Sequence, residues 1–494
     1  MTHADRTVRQ ITRRDILRQG AALAAVAAWA PACVARASQP SETQAPIALG
    51  SRRELFVDDF LIARLQGAEL KMHQPEPREV ALVCDQPWEG NTSAYFTLLR
   101  DDDRFRVYYR GWHFDEKAKK WAHPEVTCVA ESRDGLTWEK PELGLFEFNG
   151  SKQNNIIWTG AGTHNFTPFK DENPACPPDA RYKALAGGST TVDGKQRGCL
   201  NALKSADGVR WTMLSPAVIT AGAFDSQNLA FWDAVRKEYR AYWRIFTAGF
   251  TDERGWKPGG YRAIRTATSK DFLHWEQQAD LRYVDSPAEH LYTNAIQPYF
   301  RAPQLFVGFP TRFQPKTQQV EPVFMSSRDG VLFRRWPQEL IPITAPQDRD
   351  GNRSNYMAWG LLQLPGQERE LSVYATEAYY AGPAGRLRRF AFRTDGFVSV
   401  HAAGQASLIT KPLTFAGAQL SLNLVSRGGT RVEVLDAGGQ PMPGFTLADC
   451  RPLVGDHIDQ TVSWKGGTLA GLAGQCVQLR FELQDADLFS LRFR

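Results

Sequence analysis

The chain lacks the short motifs by which many enzyme classes are known. It has no H-E-x-x-H, no phosphate-binding loop, no G-x-S-x-G and no paired C-x-x-C. Their absence removes the metalloprotease, nucleotide-hydrolase, esterase and dithiol readings. Its seven cysteines follow no zinc-ligand spacing, and no residue pattern calls for a metal or other cofactor. There is no low-complexity tract, no long run of like charge, and no apolar stretch long enough to span a bilayer. The net charge of +5 lies partly in the N-terminal leader, so it gives no ground for a nucleic-acid partner.

What the chain has is aromatic residues, 14 Trp among them, and one stretch that recurs. The first copy is Ser132-Arg133-Asp134-Gly135-Leu136-Thr137-Trp138, and the second is Ser205-Ala206-Asp207-Gly208-Val209-Arg210-Trp211. The third, Ser269-Lys270-Asp271-Phe272-Leu273-His274-Trp275, has lost the glycine. The fourth, Ser327-Arg328-Asp329-Gly330-Val331-Leu332-Phe333, ends in Phe, and a degenerate fifth reads Thr394-Asp395-Gly396-Phe397. The aspartates are spaced 73, 64, 58 and 66 residues apart, the spacing of a supersecondary unit repeated in space. Ser and Asp side chains hold such a turn by bonding nearby N–H groups, and Gly accepts its positive φ. The aromatic ring three residues on buries a large apolar area, so the motif reads as structural.

The first residues resemble a twin-arginine export signal. Thr12-Arg13-Arg14-Asp15-Ile16-Leu17-Arg18 is followed by a weakly apolar run to Ala30 and the cleavage pattern Ala35-Arg36-Ala37. The expected location is periplasmic or secreted, with lipidation at Cys33 as the alternative. Six cysteines remain after residue 37, and both disulfides and free buried thiols are open.

Residues 38–50 read as a linker. From residue 51 the chain is almost wholly strand-like, with Gly, Pro, Asn and Asp turns. Aligned on the repeated turn, each unit supplies four strands. In the first these are 93–99, 105–109, 126–130 and a strand within 146–157. A lone four-stranded unit cannot bury both faces, and radial stacking of five closes a ring. The expected fold is all-β: a five-bladed β-propeller over 51–400, then a β-sandwich over 401–494. The stretch 54–62 is the expected extra strand of the last blade. In the C-terminal part, alternation at Leu420, Leu422, Leu424 and at Val477, Leu479, Phe481, Leu483 marks half-buried antiparallel strands.

Five such blades with an S-x-D-[GF]-x-x-[WF] turn, plus a C-terminal sandwich, resemble the invertase–arabinanase–levansucrase superfamily of propeller glycoside hydrolases. Leu55-Phe56-Val57-Asp58-Asp59 and Asp485-Ala486-Asp487-Leu488-Phe489-Ser490 are similar to an exported bacterial branch of it. The invertase W-x-N-D-P-N-G, R-D-P and E-C elements are absent. Pro87-Trp88-Glu89-Gly90-Asn91 stands nearest the first of them. The resemblance implies a carbohydrate substrate and hydrolysis by two carboxylates. A non-catalytic glycan-binding propeller and a sialidase-like or lyase activity are the alternatives.

In a propeller the innermost strand starts at the rim of the central funnel, and the second strand returns to it. Polar residues at those two places are the site candidates. Asp101, Asp171 and Asp233 fall in the opposite turn, where a structural role is expected. Glu89 or Asp225 is the expected base or nucleophile, and Glu377 the acid. Trp88, Arg110, His164, Asn228, Arg244, His290, Tyr292, Asn294, Arg312 and Arg353 are the expected substrate-binding residues. Opposed rim carboxylates would favour an enzyme. Carboxylates all paired with arginine in an aromatic rim would favour a binder.

If the export reading holds, intact-mass measurement of the exported protein gives a chain that begins near Ser38. A full-length chain retained in the cytoplasm, or lipid on Cys33, would count against cleavage there.

Overall fold

The computed structural model describes residues 45–342 and 355–494. The export segment 1–37 and Arg353 lie outside the described residues. Among the described residues there is no α-helix, and none of the six cysteines is bridged.

Four antiparallel four-stranded blades follow one another in chain order. The first joins Ala94–Asp101, Arg104–Gly111, Val126–Ser132 and Ile156–Thr159. The second joins Thr167–Lys170, Tyr182–Val192, Lys195–Ser205 and Thr212–Ile219. The third uses Leu229–Asp233, Glu238–Phe246, Arg262–Ser269 and Glu276–Asp280. The fourth uses Ile296–Tyr299, Ala302–Gly308, Gln319–Ser327 and Leu332–Glu339.

The fifth blade is built differently. Glu370–Glu377 and Arg386–Arg393 pair with Glu76–Val83, which comes from before the first blade. The innermost strand of this blade, residues 356–362, is divided between two neighbours. It bridges Glu370–Glu377 at Met357 and Leu362, and it meets the first blade where Thr97 faces Trp359. Trp359 N–H donates to Phe96 O, and Leu98 N–H donates to Trp359 O at 2.7 Å. Gly360 makes this approach possible, since a Cβ there would collide with Leu98 O. The ring thus closes on five blades.

The strand that completes the last blade is Glu76–Val83, not the stretch 54–62. Arg53–Leu55 pairs instead with Ser490–Arg492, and Ile62–Gln66 and Glu69–Met72 pair with Val398–Thr410. The apolar Leu55-Phe56-Val57 run finds its partner in the apolar C-terminal strand, which the last blade does not offer. The sandwich therefore takes in residues 47–72. Its long strands Val398–Thr410, Leu420–Leu435 and Gln478–Phe493 carry bulges that let each strand serve both layers. Leu420, Leu422, Leu424, Val432, Val434, Leu479, Phe481 and Leu483 are buried between them, as the alternation implies.

The repeated turn works as its residues suggest. Asp134 Oδ1 accepts the N–H groups of Leu136 and Thr137 at 2.8 Å, and Ser132 Oγ accepts that of Gly135. The same bonds recur at Asp207, Asp271 and Asp329. The glycine has a second reason to be there. Tyr108 on the first blade donates its hydroxyl to Gly208 O in the second blade's turn. Tyr242 does so to Gly330 O, and Tyr374 to Gly135 O. Where the glycine is lost, Phe272 takes the positive φ of 71° and packs its buried ring against Phe169 and Tyr239.

At the hairpin end, away from the funnel, Tyr182 donates to Asp101 and Tyr239 to Asp171, each from one blade to its predecessor. Asp171 is further held by Lys183, and Asp233 by Arg236. These aspartates are structural.

Tyr108→Phe leaves the Gly208 carbonyl with the Trp211 indole N–H at 3.0 Å as its remaining donor, and urea unfolding is expected to show a loss of about 0.5–1.5 kcal/mol. Gly208→Ala is expected to cost more, because its Cβ would enter the contact distance of both Arg106 and the Tyr108 hydroxyl.

Candidate functional site

Three kinds of position reach the funnel rim: starts of first strands, ends of second strands, and starts of third strands. Together they enclose a cavity of about 200 Å³ lined by Tyr95, Arg262, Tyr292, Tyr356, Tyr379 and Tyr380, with Phe313 and Gln318 from a fourth-blade hairpin. Tyr95 opens the first blade, and Arg262 opens the third strand of the third blade. Tyr379 and Tyr380 follow the second strand of the fifth.

Arg110 ends the second strand of the first blade. Its guanidinium donates to Thr92 O at 2.8 Å and to the Tyr379 hydroxyl at 3.0 Å. It also lies 5.0 Å from the Tyr95 ring and 3.7 Å from Glu125. Burial alone would lower its pKa, but Tyr379, Tyr95 and Glu125 outweigh burial and raise it. The phenol of Tyr95 is pushed well above its usual range, first by burial and then by Tyr292. The ring hydroxyl therefore stays protonated and donates to Asp225 O at 3.1 Å.

His164 and Glu125 form a second cluster. His164 Nδ1 lies 2.7 Å from Glu125 Oε1, nearer than the 3.1 Å to Arg110, so Glu125 takes the Nδ1 proton. The imidazole is 39% exposed and meets the Tyr95 ring at 5.6 Å. Asp225 stands on the other side of Tyr95. Its carboxylate is 48% exposed and pairs with the buried guanidinium of Arg244. Burial depresses the Arg244 pKa. The loop carrying Asp225 is held from beneath. Asn165 and Asn228 both donate to Ser226 O, at 2.9 and 2.7 Å.

The rim stores strain and unmet bonding capacity. Tyr95, Asn355, Ala378 and Tyr380 adopt left-handed φ of 56°, 80°, 54° and 60°. Each costs about 1–3 kcal/mol, and such strain gathers at functional sites. Among the described residues, both polar atoms of the buried Asn355 amide lack a partner, as do Nε and Nη1 of Arg244 and Nε of Arg262.

Of the residues expected at the site, Arg110, His164, Asp225, Arg244 and Tyr292 come together around this rim. His290 lies behind it, where its Nδ1 accepts the backbone N–H of Arg262 at 3.1 Å. Burial, then Arg262, lowers its pKa, so it is neutral at neutral pH.

The others serve elsewhere. Glu89 is wholly buried beneath the first blade, where Lys140 at 2.7 Å and the Tyr109 hydroxyl at 2.5 Å take its oxygens. A carboxylate with no exposed atom and a lysine partner is closed to substrate, which corrects its expected role as base or nucleophile. Trp88 packs half-buried against Phe148 and donates to the buried Asn155 at 2.7 Å. Glu377 is fully buried against Arg388 at 2.5 Å and Arg386 at 3.5 Å, enclosed where substrate does not reach it, which corrects its expected role as acid. Arg312 is occupied between Glu289 at 3.2 Å and Glu321 at 2.8 Å. Asn228 and Asn294 spend their amides on their own loops.

Glu125 and Arg262 were not anticipated. Each opens the third strand of its blade, and that strand also starts at the rim. Extending the alignment by one strand would have found both.

No family profile and no curated protein sequence matches the chain. Among solved structures it is similar to a thermostable family-43 glycoside hydrolase, at 11% identity over 64% of this chain and 94% of that one, with a TM-score of 0.42. It is also similar to a GH32 beta-fructofuranosidase from Bombyx mori, at 10% identity over 86% and 94% of the chains, TM-score 0.40. A beta-1,2-mannobiose phosphorylase from Listeria innocua matches at 12% identity over 65% and 97%, TM-score 0.45. At these identities no residue role passes from those proteins to this chain.

Glu89→Ala is expected to lower stability by about 3–5 kcal/mol, the cost of removing one partner from a buried pair. Glycan affinity measured by calorimetry on the folded variant should stay as in the wild type.

Proposed function

We propose that this chain hydrolyses glycosidic bonds in a glycan seated in the funnel. The observation that carries this reading is two partly exposed carboxylates tied to Tyr95: Asp225, whose backbone carbonyl accepts the Tyr95 hydroxyl, and Glu125, whose partner His164 meets the Tyr95 ring. Asp225 pairs with the Arg244 guanidinium and stays half exposed, a placement suited to a base or nucleophile. Glu125, 2.7 Å from Nδ1 of the partly exposed His164, is the proposed proton donor to the leaving oxygen. The tyrosines offer ring faces and neutral hydroxyl donors to a sugar, the usual lining of a carbohydrate pocket. The Glu125–Asp225 pair replaces the expected pairing with Glu377.

A second reading, glycan binding without cleavage, is favoured by the pairing of each of these acids with a cation. Asp225 has Arg244, Glu125 has His164 and Arg110, and Glu289 has Arg312 and Arg335.

Screening the purified protein on a broad glycan panel, with product release and calorimetry run side by side, separates the two. Hydrolysis that falls about 100-fold or more in both Asp225→Asn and Glu125→Gln, with binding retained, supports the enzyme. Tight binding with no product from the wild type supports the binder. Unchanged turnover in both variants overturns this assignment of the acids.

A further inference from the structure

The cations of the funnel outnumber its acids in one place. Arg262 and Arg244 stand 5.3 and 5.0 Å from the centroid of the same ring, Tyr292, and both also lie within 6 Å of Phe246. Arg262 packs further on Phe313, 4.6 Å from its centroid. Among the described residues only Asp225 answers these two charges, and it pairs with Arg244. Among the described residues no carboxylate pairs with Arg262, and its Nε has no partner. Two of the three Arg244 nitrogens are likewise unsatisfied, although its side chain is only 2% exposed.

A guanidinium drawn into an aromatic pocket loses hydration, and without a counter-charge that loss is uncompensated. Its aromatic neighbours return only part of it through cation–π attraction. Elsewhere this chain supplies the missing acid. Arg328 has Glu54 and Asp58, Arg312 has Glu289 and Glu321, and Arg301 has Asp395. At Arg262 the counter-charge is left out on the wall of the cavity itself. The neighbouring groups cannot supply it. His290 presents only a neutral ring, because its Nδ1 is occupied by the Arg262 N–H, and Tyr292 and Gln318 carry no charge.

We infer that the funnel recognises an anionic sugar, with Arg262 and Arg244 taking a carboxylate or sulfate of the ligand in place of the missing acid. The inference rests on the glycan reading above and names its substrate class. The planar fork of arginine suits both anions, because each offers two oxygens at the spacing of two N–H donors. The tyrosines at 356, 379 and 380 then hold the rest of the ring.

The test uses the whole protein and a panel of acidic glycans: polygalacturonate, alginate, hyaluronan and a sulfated galactan. Each is paired with its carboxyl-reduced or desulfated form. Calorimetry is expected to give at least one acidic glycan bound about tenfold or more tighter than its neutralised partner, as charge-assisted hydrogen bonds imply. That preference should shrink as salt is raised. The carboxylate and sulfate arms separate the two sources of the anion. Arg262→Gln, checked as folded by its thermal transition, should bring the acidic and neutral forms to similar affinity, and Arg262→Lys should keep part of the difference. Equal binding of acidic and neutral forms by the wild type overturns the inference and leaves the glycan reading standing. A folded Arg262→Gln protein with its preference intact also overturns it. If that variant does not fold, a wild-type preference that high salt leaves unweakened overturns it instead. Failure of every glycan to bind or be cleaved overturns the glycan reading and this inference together.

Discussion

A single buried carboxylate, Asp395, holds three parts of this molecule in one arrangement. It follows the last strand of the fifth blade and has no exposed side-chain area. The fourth blade reaches it with the Tyr299 hydroxyl at 2.5 Å and Arg301 at 2.9 Å. The sandwich reaches it with Arg53 at 3.2 Å and Ser490 at 2.8 Å. Burial alone would raise its pKa, but Arg53, Arg301 and the Tyr299 hydroxyl hold it below the usual carboxylate range. A charge so placed is costly unless every lone pair is answered. Each partner is therefore constrained to its position, and the blades and the sandwich are constrained with it. A second tie does the same work nearby. Arg328 joins Glu54 and Asp58, and its guanidinium lies 3.7 Å from the centroid of Phe60.

The same economy of buried oxygen partners joins blade to blade. Tyrosine hydroxyls run from one blade to the next at the repeated turns and at the hairpin aspartates. Those bonds lie away from the funnel. The frame is thus secured from the side that does no chemistry. The rim can then carry left-handed Tyr95, Asn355 and Tyr380 and the unsatisfied donors of Arg244 and Arg262, costs that a loosely joined ring would relax.

Much of this frame was legible in the sequence. The S-x-D-G spacing gave the blade period, and period-2 alternation marked the sandwich core. Two features were not legible for physical reasons. Thr394-Asp395-Gly396-Phe397 looks like a worn fifth copy of the turn. Its aspartate instead turns inward to the guanidiniums of Arg53 and Arg301 and the hydroxyl of Ser490, all far away in sequence. Strand 53–55 could complete any exposed edge by its pattern, and only the register of the C-terminal strand decides which. At the site, burial was the hidden variable. Glu89 and Asp225 are both acids near the start of a first strand, and each meets a cation, but the carboxylate of one is fully buried against Lys140 while that of the other stays half exposed beside Arg244. Rim position was readable from register. Which of the two carboxylates is buried was not.

The charge balance of the rim bears directly on catalysis. A hydrolase of this kind needs one acid ionised and one able to hold a proton. Asp225 meets the first need through Arg244. The second falls to Glu125 and His164, 2.7 Å apart beside Arg110 on a rim where positive charge gathers. An anionic substituent bound at Arg262 would offset part of that positive field when substrate arrives. It would also draw on Arg244, and so release Asp225 from its partner as the sugar approaches. Ligand and proton donor would then be coupled through the same two guanidiniums. An arginine left without its own acid is consistent with this coupling, since an internal carboxylate at that position would neutralise the field permanently and make it indifferent to substrate.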